Sequence, residues 1–176
     1  MDAGQILSQS QTDIAADETA GQLHDRLAKI AAPLLLKTID KIADGTAVYI
    51  EQEHDKATLA PKLKKSDGFL DFAEPAEVLA RKIRGFWPWP GASVNYISKK
   101  TGKSIRVAIA MAQVVMLDEP SLMLPGTLDD DLNVICGQGA LKIKQIKPAG
   151  SPLMAFKDFT NGRQTKPGDS FIKLKA

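Results

Sequence analysis

Cysteine is almost missing from this sequence: Cys136 stands alone among 176 residues. One thiol excludes an internal disulfide framework and a cysteine-rich metal site, and it makes a reducing cytoplasm the expected home. Cys136 lies in the apolar run LNVIC, where a small buried hydrophobe is expected rather than a catalytic thiol. No apolar run approaches the ~18 residues that a membrane span requires, so no membrane partner is expected. The opening MDAGQILSQSQTD has neither a basic n-region nor a long apolar stretch, and no signal peptide is read there. Internal repeats and low-complexity tracts are lacking as well. Aromatic residues are scarce at 6%, yet both tryptophans fall in one stretch, GFWPWPGA, at residues 85–92.

What is present is a soluble globular balance of 44% hydrophobic and 25% charged residues, with a net charge of +2. The charge is uneven. Residues 46–110 carry 11 Lys+Arg against 7 Asp+Glu, whereas residues 1–45 carry 4 against 7. A partner bearing phosphates would be drawn to the middle of the chain.

The chain begins with a possible strand, QILSQSQTDI. Thr19 followed three residues later by Gln22 is a capping-box pattern. Leu23, Leu27 and Ile30 form one helical stripe. Pro33 is placed to open a second helix with the stripe Leu35, Ile39 and Ile42, closed by Asp44-Gly45. Residues 46–65 read as a linker, since no sustained period appears there. A further helix starts near Pro75, buries Leu79, Ile83 and Phe86, and is stopped by Pro88. Glu77 and Arg81 are spaced to pair on its surface. Beyond Gly91 the pattern turns to strands: ASVNYIS, SIRVAIAMAQVVML, LNVIC and ALKIKQI. Ile105, Val107, Ile109 and Met111 alternate with smaller or polar residues, and the alternation breaks at Gln113, where a bulge is expected. Ser151-Pro152 is read as the start of a last short helix closed by Asn161-Gly162. The fold class is therefore α+β, with a small OB-like β-barrel and flanking helices.

Several ordered motifs carry a family resemblance. APKLKKSDGFLDF, then RGFWPWPGA, then PGTLDDDLNVICGQGALKIKQIKPAGSPLMAFKDFTNG resemble the C-terminal region of methionyl-tRNA formyltransferases. MDAGQILSQSQTDIAADETAGQLHDRLA resembles the end of the catalytic domain in that family. Phe72 stands where the family has Trp, and Trp87 where it has Asn. The resemblance implies three regions: residues 1–45 as a helical remnant of an α/β formyltransferase catalytic domain, 46–65 as a linker, and 66–176 as the OB-like domain. It implies formyl transfer from 10-formyltetrahydrofolate to the amine of initiator methionyl-tRNA. Asp2 matches the family's catalytic Asp. Its Asn and His partners have no counterpart here, because His24 and His54 sit outside the relevant motif. The chain alone is thus expected to be a truncated, monomeric tRNA-binding fragment without catalysis, holding no metal and no tightly bound cofactor.

The residues expected to meet tRNA are Lys62, Lys64, Lys65, Arg84, Lys100 and Lys103. Lysines on a mobile surface segment supply phosphate contacts that are salt-sensitive and not base-specific. Lys142 and Lys144 lie on the outer face of their strand. The carboxylates Asp129, Asp130 and Asp131 lack the spacing of a calcium loop and read as a solvated turn. GFWPWPGA reads as packing where a helix enters a strand, with base stacking by Trp87 as the other possibility. Two alternatives stay open for the whole chain: a free-standing basic RNA-binding module, or the C-terminal part of a sugar-nucleotide formyltransferase.

Overall fold

A computed structural model describes residues 3–175. The chain divides into two compact units, with the boundary between Lys62 and Leu63.

The first unit is built on one long helix, α1 (Ala20–Ala43). Its N-terminus is the expected capping box: the Thr19 N–H donates to Gln22 Oε1 at 2.9 Å, and the Gln22 N–H donates to Thr19 Oγ1 at 3.3 Å. Pro33 does not open a second helix; it lies inside α1. A proline there loses its bond to the carbonyl four residues back and crowds that carbonyl. The flanking Ala31, Ala32, Leu34, Leu35 and Leu36 are strong helix formers that carry the helix through. The residues before α1 are irregular, with a turn at Ala16-Asp17 just ahead of the helix. They make one bridge, Ile6 to Ile50, through reciprocal N–H···O bonds of 2.8 and 3.0 Å. The Ser8 and Thr38 hydroxyls, 2.6 Å apart, join this segment to the helix. Arg26 donates to Glu18 at 2.7 Å, and this bond holds the Glu18 carboxyl below its usual range. Leu35, Leu36, Ile39 and Ile42 stay exposed, so the apolar stripe of this helix is uncovered.

The second unit contains nearly all the buried apolar residues. Helix α2 (Ala76–Phe86) begins after Pro75 and buries Ala76, Leu79, Ala80 and Ile83, while Phe86 is only half-buried. The strands are β1 (Ala92–Ile97), β2 (Ser104–Val115), β3 (Val134–Ile135), β4 (Ala140–Pro148), β5 (Met154–Ala155) and β6 (Ser170–Ile172), with helix α3 (Phe156–Arg163) between the last two. All strand pairs are antiparallel, in the order β3-β4-β2-β1-β6, with β5 also on β4.

Thr127 bridges to Ser170 on the β6 side, and Leu128 bridges to Val134 on the β3 side. These two residues link the ends of the sheet into a nearly closed barrel-like ring. The interior holds an aromatic cluster. Tyr96 meets Phe159 edge-on at 5.1 Å and Phe171 at 5.4 Å, and Phe72 and Phe156 lie against Phe171. Full burial of each phenylalanine contributes roughly 1.5–3 kcal/mol.

The bulge in β2 falls earlier than Gln113. The register against β4 shifts between Ile109 and Ala112. The two shifts cancel, since Ile109–Ile146 and Ala112–Ile143 keep one register, but side-chain parity reverses across the irregularity in both strands. Ile109 and Ala110 are therefore both buried, Met111 faces out at 38% exposure, and Ala112 turns inward. Met111 leaves the stripe that Ile105, Val107 and Ile109 begin. The last helix also starts later than Ser151-Pro152, because Met154 and Ala155 first pair with Ile146 and Gln145 of β4. Asn161 and Gly162 lie within α3, which ends at Gln164 in the left-handed region, at φ 52°. The tryptophans stay out of the core: Trp89 is 53% exposed and Trp87 half-buried.

Candidate nucleic-acid interface

The turn between β1 and β2 carries Lys99, Lys100 and Lys103. It is built by a Gly102 N–H donating to the Ser98 carbonyl at 2.8 Å and a Ser98 N–H donating to the Lys103 carbonyl at 3.1 Å. The end of α3 and the loop after it carry Arg163 and Lys166. These two segments face each other across open grooves. One, of about 720 Å³, is lined by Lys99, Lys100, Arg163, Lys166 and Asp169 among others. The other, of about 340 Å³, includes Lys103 and Arg163. Five cations thus gather along one rim of the barrel. All five residues are exposed, and none forms an ion pair among the described residues. Arg163 stands over the Phe159 ring at 5.9 Å, which braces its side chain against the barrel.

The one acidic group in this rim is buried. Asp169 is 3% exposed, and its carboxylate accepts from the Tyr96 hydroxyl at 2.6 Å, the Lys99 N–H at 2.8 Å and the Lys166 N–H at 3.0 Å. Burial, reinforced by the bond to Asp169, pushes the Tyr96 phenol up to about 12, so it remains a neutral donor. The Tyr96 ring is itself buried, and no other aromatic side chain lines either groove. The surface presents charge without a stacking platform.

The residues marked out by sequence are distributed as follows. Lys100 and Lys103 meet in the rim. Lys64 and Lys65 are exposed where the chain enters the second unit, and the Lys64 N–H donates to the Asp67 carboxylate at 2.7 Å. Lys62 is exposed at the end of the first unit. Arg84 is half-buried on α2. Asp2 lies outside the described residues. Arg163 and Lys166 were not singled out from sequence. The string Lys166-Pro167-Gly168-Asp169, a turn with a cation at its head, was the signal available. Lys142 is exposed and Lys144 half-buried on β4. The expected pairing of Glu77 with Arg81 does not form; Lys82 pairs with Glu74 at 2.6 Å instead.

Other candidates are inert or structural. Asp129 accepts from the Asp131 and Asn133 N–H groups at 3.0 and 2.7 Å, so the acidic run is a turn held by its first carboxylate. No group of metal-ligating side chains occurs among the described residues. No helix among them is long and apolar enough to cross a membrane. Cys136 is 5% exposed, and burial pushes its thiol up to about 12. It should therefore fail to react with a disulfide reagent near pH 8 in the folded protein and react fully in denaturant. Rapid labelling of the native chain would contradict that.

The second unit is thus a ring-linked antiparallel sheet flanked by helices, with a cationic rim. The chain belongs to a family with such a unit: residues 62–164 match the formyl transferase C-terminal domain. The chain is similar to the methionyl-tRNA formyltransferase of Symbiobacterium thermophilum, 36% identical over 181 residues, covering 100% of this chain and 53% of the relative. It is similar also to the methionyl-tRNA formyltransferase of Chlamydia trachomatis serovar A, at 38% over 167 residues, 93% of this chain and 52% of the relative. That of Halorhodospira halophila is 36% identical over 170 residues, with 96% and 53% covered. The chain spans about half the length of the curated relatives it matches.

Proposed function

We propose that this chain is the tRNA-holding part of a methionyl-tRNA formyltransferase. In the whole enzyme, a formyl group passes from 10-formyltetrahydrofolate to the amine of methionine on the initiator tRNA, in the cytoplasm. The names of the relatives support the reaction class. The observation that carries the role of this half is the rim of five unpaired cations, Lys99, Lys100, Lys103, Arg163 and Lys166. An array of ammonium and guanidinium groups binds phosphates by releasing counterions, and it positions an RNA without reading its bases. The lack of an exposed aromatic ring in the grooves favours a base-paired stem over single-stranded RNA, which is held by stacking.

The barrel-like ring supports an OB-like fold, in which loops between strands meet nucleic acid. The first unit supports a remnant of the larger catalytic domain, because the stripe Leu35, Leu36, Ile39 and Ile42 is uncovered. Lys62, Lys64, Lys65 and Arg84 are further candidate phosphate contacts, outside the two grooves. Asp2 keeps the catalytic role its motif implies only beside partners that this chain lacks, so the chain alone acts as a monomeric binding module without turnover or bound cofactor.

The test is binding of an initiator tRNA transcript to the 176-residue chain across a salt series. Affinity should fall steeply and log-linearly with salt. A single-stranded RNA of equal length should bind more weakly. Binding that ignores salt would remove this reading. A free-standing RNA-binding module would bind as well; turnover restored by adding a separately produced formyltransferase catalytic domain would favour the enzyme.

A further inference from the structure

We propose that Asp169 is the positioning residue of the cationic rim: its buried carboxylate ties the Lys99 and Lys166 backbones together, fixing the two walls of the groove relative to each other so that their cations meet an RNA backbone together. The role rests on reading the rim as an RNA-backbone surface.

The two walls come from distant parts of the chain. Lys99 follows β1, and Lys166 follows α3. Asp169 accepts one N–H from each, at 2.8 and 3.0 Å on different oxygens, and the Tyr96 hydroxyl joins the second oxygen at 2.6 Å. Thr165, itself buried, meets the same hydroxyl at 3.1 Å. Asp169 is also anchored in the ring, since its carbonyl accepts the Leu128 N–H at 2.8 Å. A buried carboxylate without donors is costly, and bonds to a charged acceptor are strong. The anchor therefore resists sliding of either wall. The Lys99 side chain lies flat over Gly168: a Cβ on that glycine would stand 3.1 Å from Lys99 Cδ and 3.3 Å from its Nζ. The ammonium of one wall is thus laid against the other.

Asp169 touches no ligand. Its sign makes the proposal testable, because simple electrostatics and positioning predict opposite results. Removing a negative charge from a cationic surface should by itself tighten RNA binding. Positioning predicts the reverse for Asp169→Asn: affinity for the tRNA transcript about tenfold weaker, and a salt slope smaller by about 2, as Lys99 and Lys166 lose their register. The Lys99 and Lys166 amides should lose hydrogen-exchange protection together. Tyr96→Phe removes a bond to the same carboxylate but leaves both backbone anchors. It should lower the melting temperature while keeping affinity within about twofold of wild type.

Should Asp169→Asn unfold, Asp169→Glu keeps the charge and displaces both anchors by one methylene. Its expected loss of affinity is the same. Binding by either Asp169 variant as tight as wild type overturns the proposal. So does a Tyr96→Phe chain that loses affinity in proportion to stability, as a purely structural role would have it. Salt-independent binding by the wild-type chain would fail in a different way, overturning the reading of the rim itself and this role with it.

Discussion

Replacing Gly126 with alanine should lower the melting temperature of the second unit by roughly 15 °C, a large loss for one methyl group. Gly126 has φ +89°, a region that costs L-residues about 1–2 kcal/mol. Space is the greater obstacle. A Cβ would stand 2.2 Å from the Phe171 carbonyl oxygen and 3.4 Å from its carbon, both backbone atoms. The surroundings cannot yield locally: the Gly126 N–H donates to Ile135 at 2.7 Å, and its carbonyl accepts from Phe171 at 2.7 Å. Gly126 thus sits in the seam that links the β3 and β6 ends of the sheet. Forcing extra volume into such a place adds typically 1–3 kcal/mol. Gly150→Ala is the control, since φ there is +73° but nothing lies within 4 Å of the added Cβ. It should cost only the conformational part. A Gly126→Ala chain melting together with Gly150→Ala would show that the seam is softer than its hydrogen bonds imply.

The largest effect on binding is expected from changing Lys99, Lys100, Lys103, Arg163 and Lys166 together to glutamine. Each phosphate contact adds roughly 0.7–0.9 to the log–log salt slope, so the slope should fall by about 3.5–4.5. Affinity for the tRNA transcript near 0.1 M salt should drop on the order of a thousandfold. Thermal stability should change little, because all five residues are exposed and none is ion-paired among the described residues. The comparison is glutamine at Lys62, Lys64 and Lys65, expected to remove about 2–3 from the slope at most. If those three cost more than the five, the RNA follows the chain between the two units rather than the rim.

Much of the second unit could be read from its pattern. Strands β1, β2 and β4 follow from alternation, and the burial of Leu79 and Ile83 follows from helical spacing. The Thr19–Gln22 box was equally legible, because a cap is local chemistry. Pro33 was absorbed by a local effect, the strong helix formers on both sides. The other failures share a cause: tertiary pairing outweighed a local signal. Ser151-Pro152 yielded to the pairing of Met154 and Ala155 with β4. The β2 bulge moved to Ala110 and Met111 because the partner strand sets the register. Strand β6 is three residues long, too short for a period, yet it delivers Phe171 to the core.

The rim was legible only by half. Lys100 and Lys103 flank an evident turn. Arg163 and Lys166 lie some 60 residues further on, and the pairing of β1 with β6 together with the bonds of Asp169 brings the halves together. Spacing along a sequence cannot reveal a contact made by one carboxylate between two loops.

The seam at Thr127 and Leu128 has a consequence for how such a domain can be carried by larger proteins. A sheet linked end to end offers no long row of vacant amides and carbonyls on which another chain could add a strand. Here β1 and β4 are flanked on both sides, and short stretches such as the two-residue β5 offer little length for an intruding strand. Joined to a second domain, or released from one, the unit should keep to itself: neither swapping strands with a neighbour nor templating fibres. Two bridging residues thereby give this half of the molecule the self-sufficiency of a detachable part.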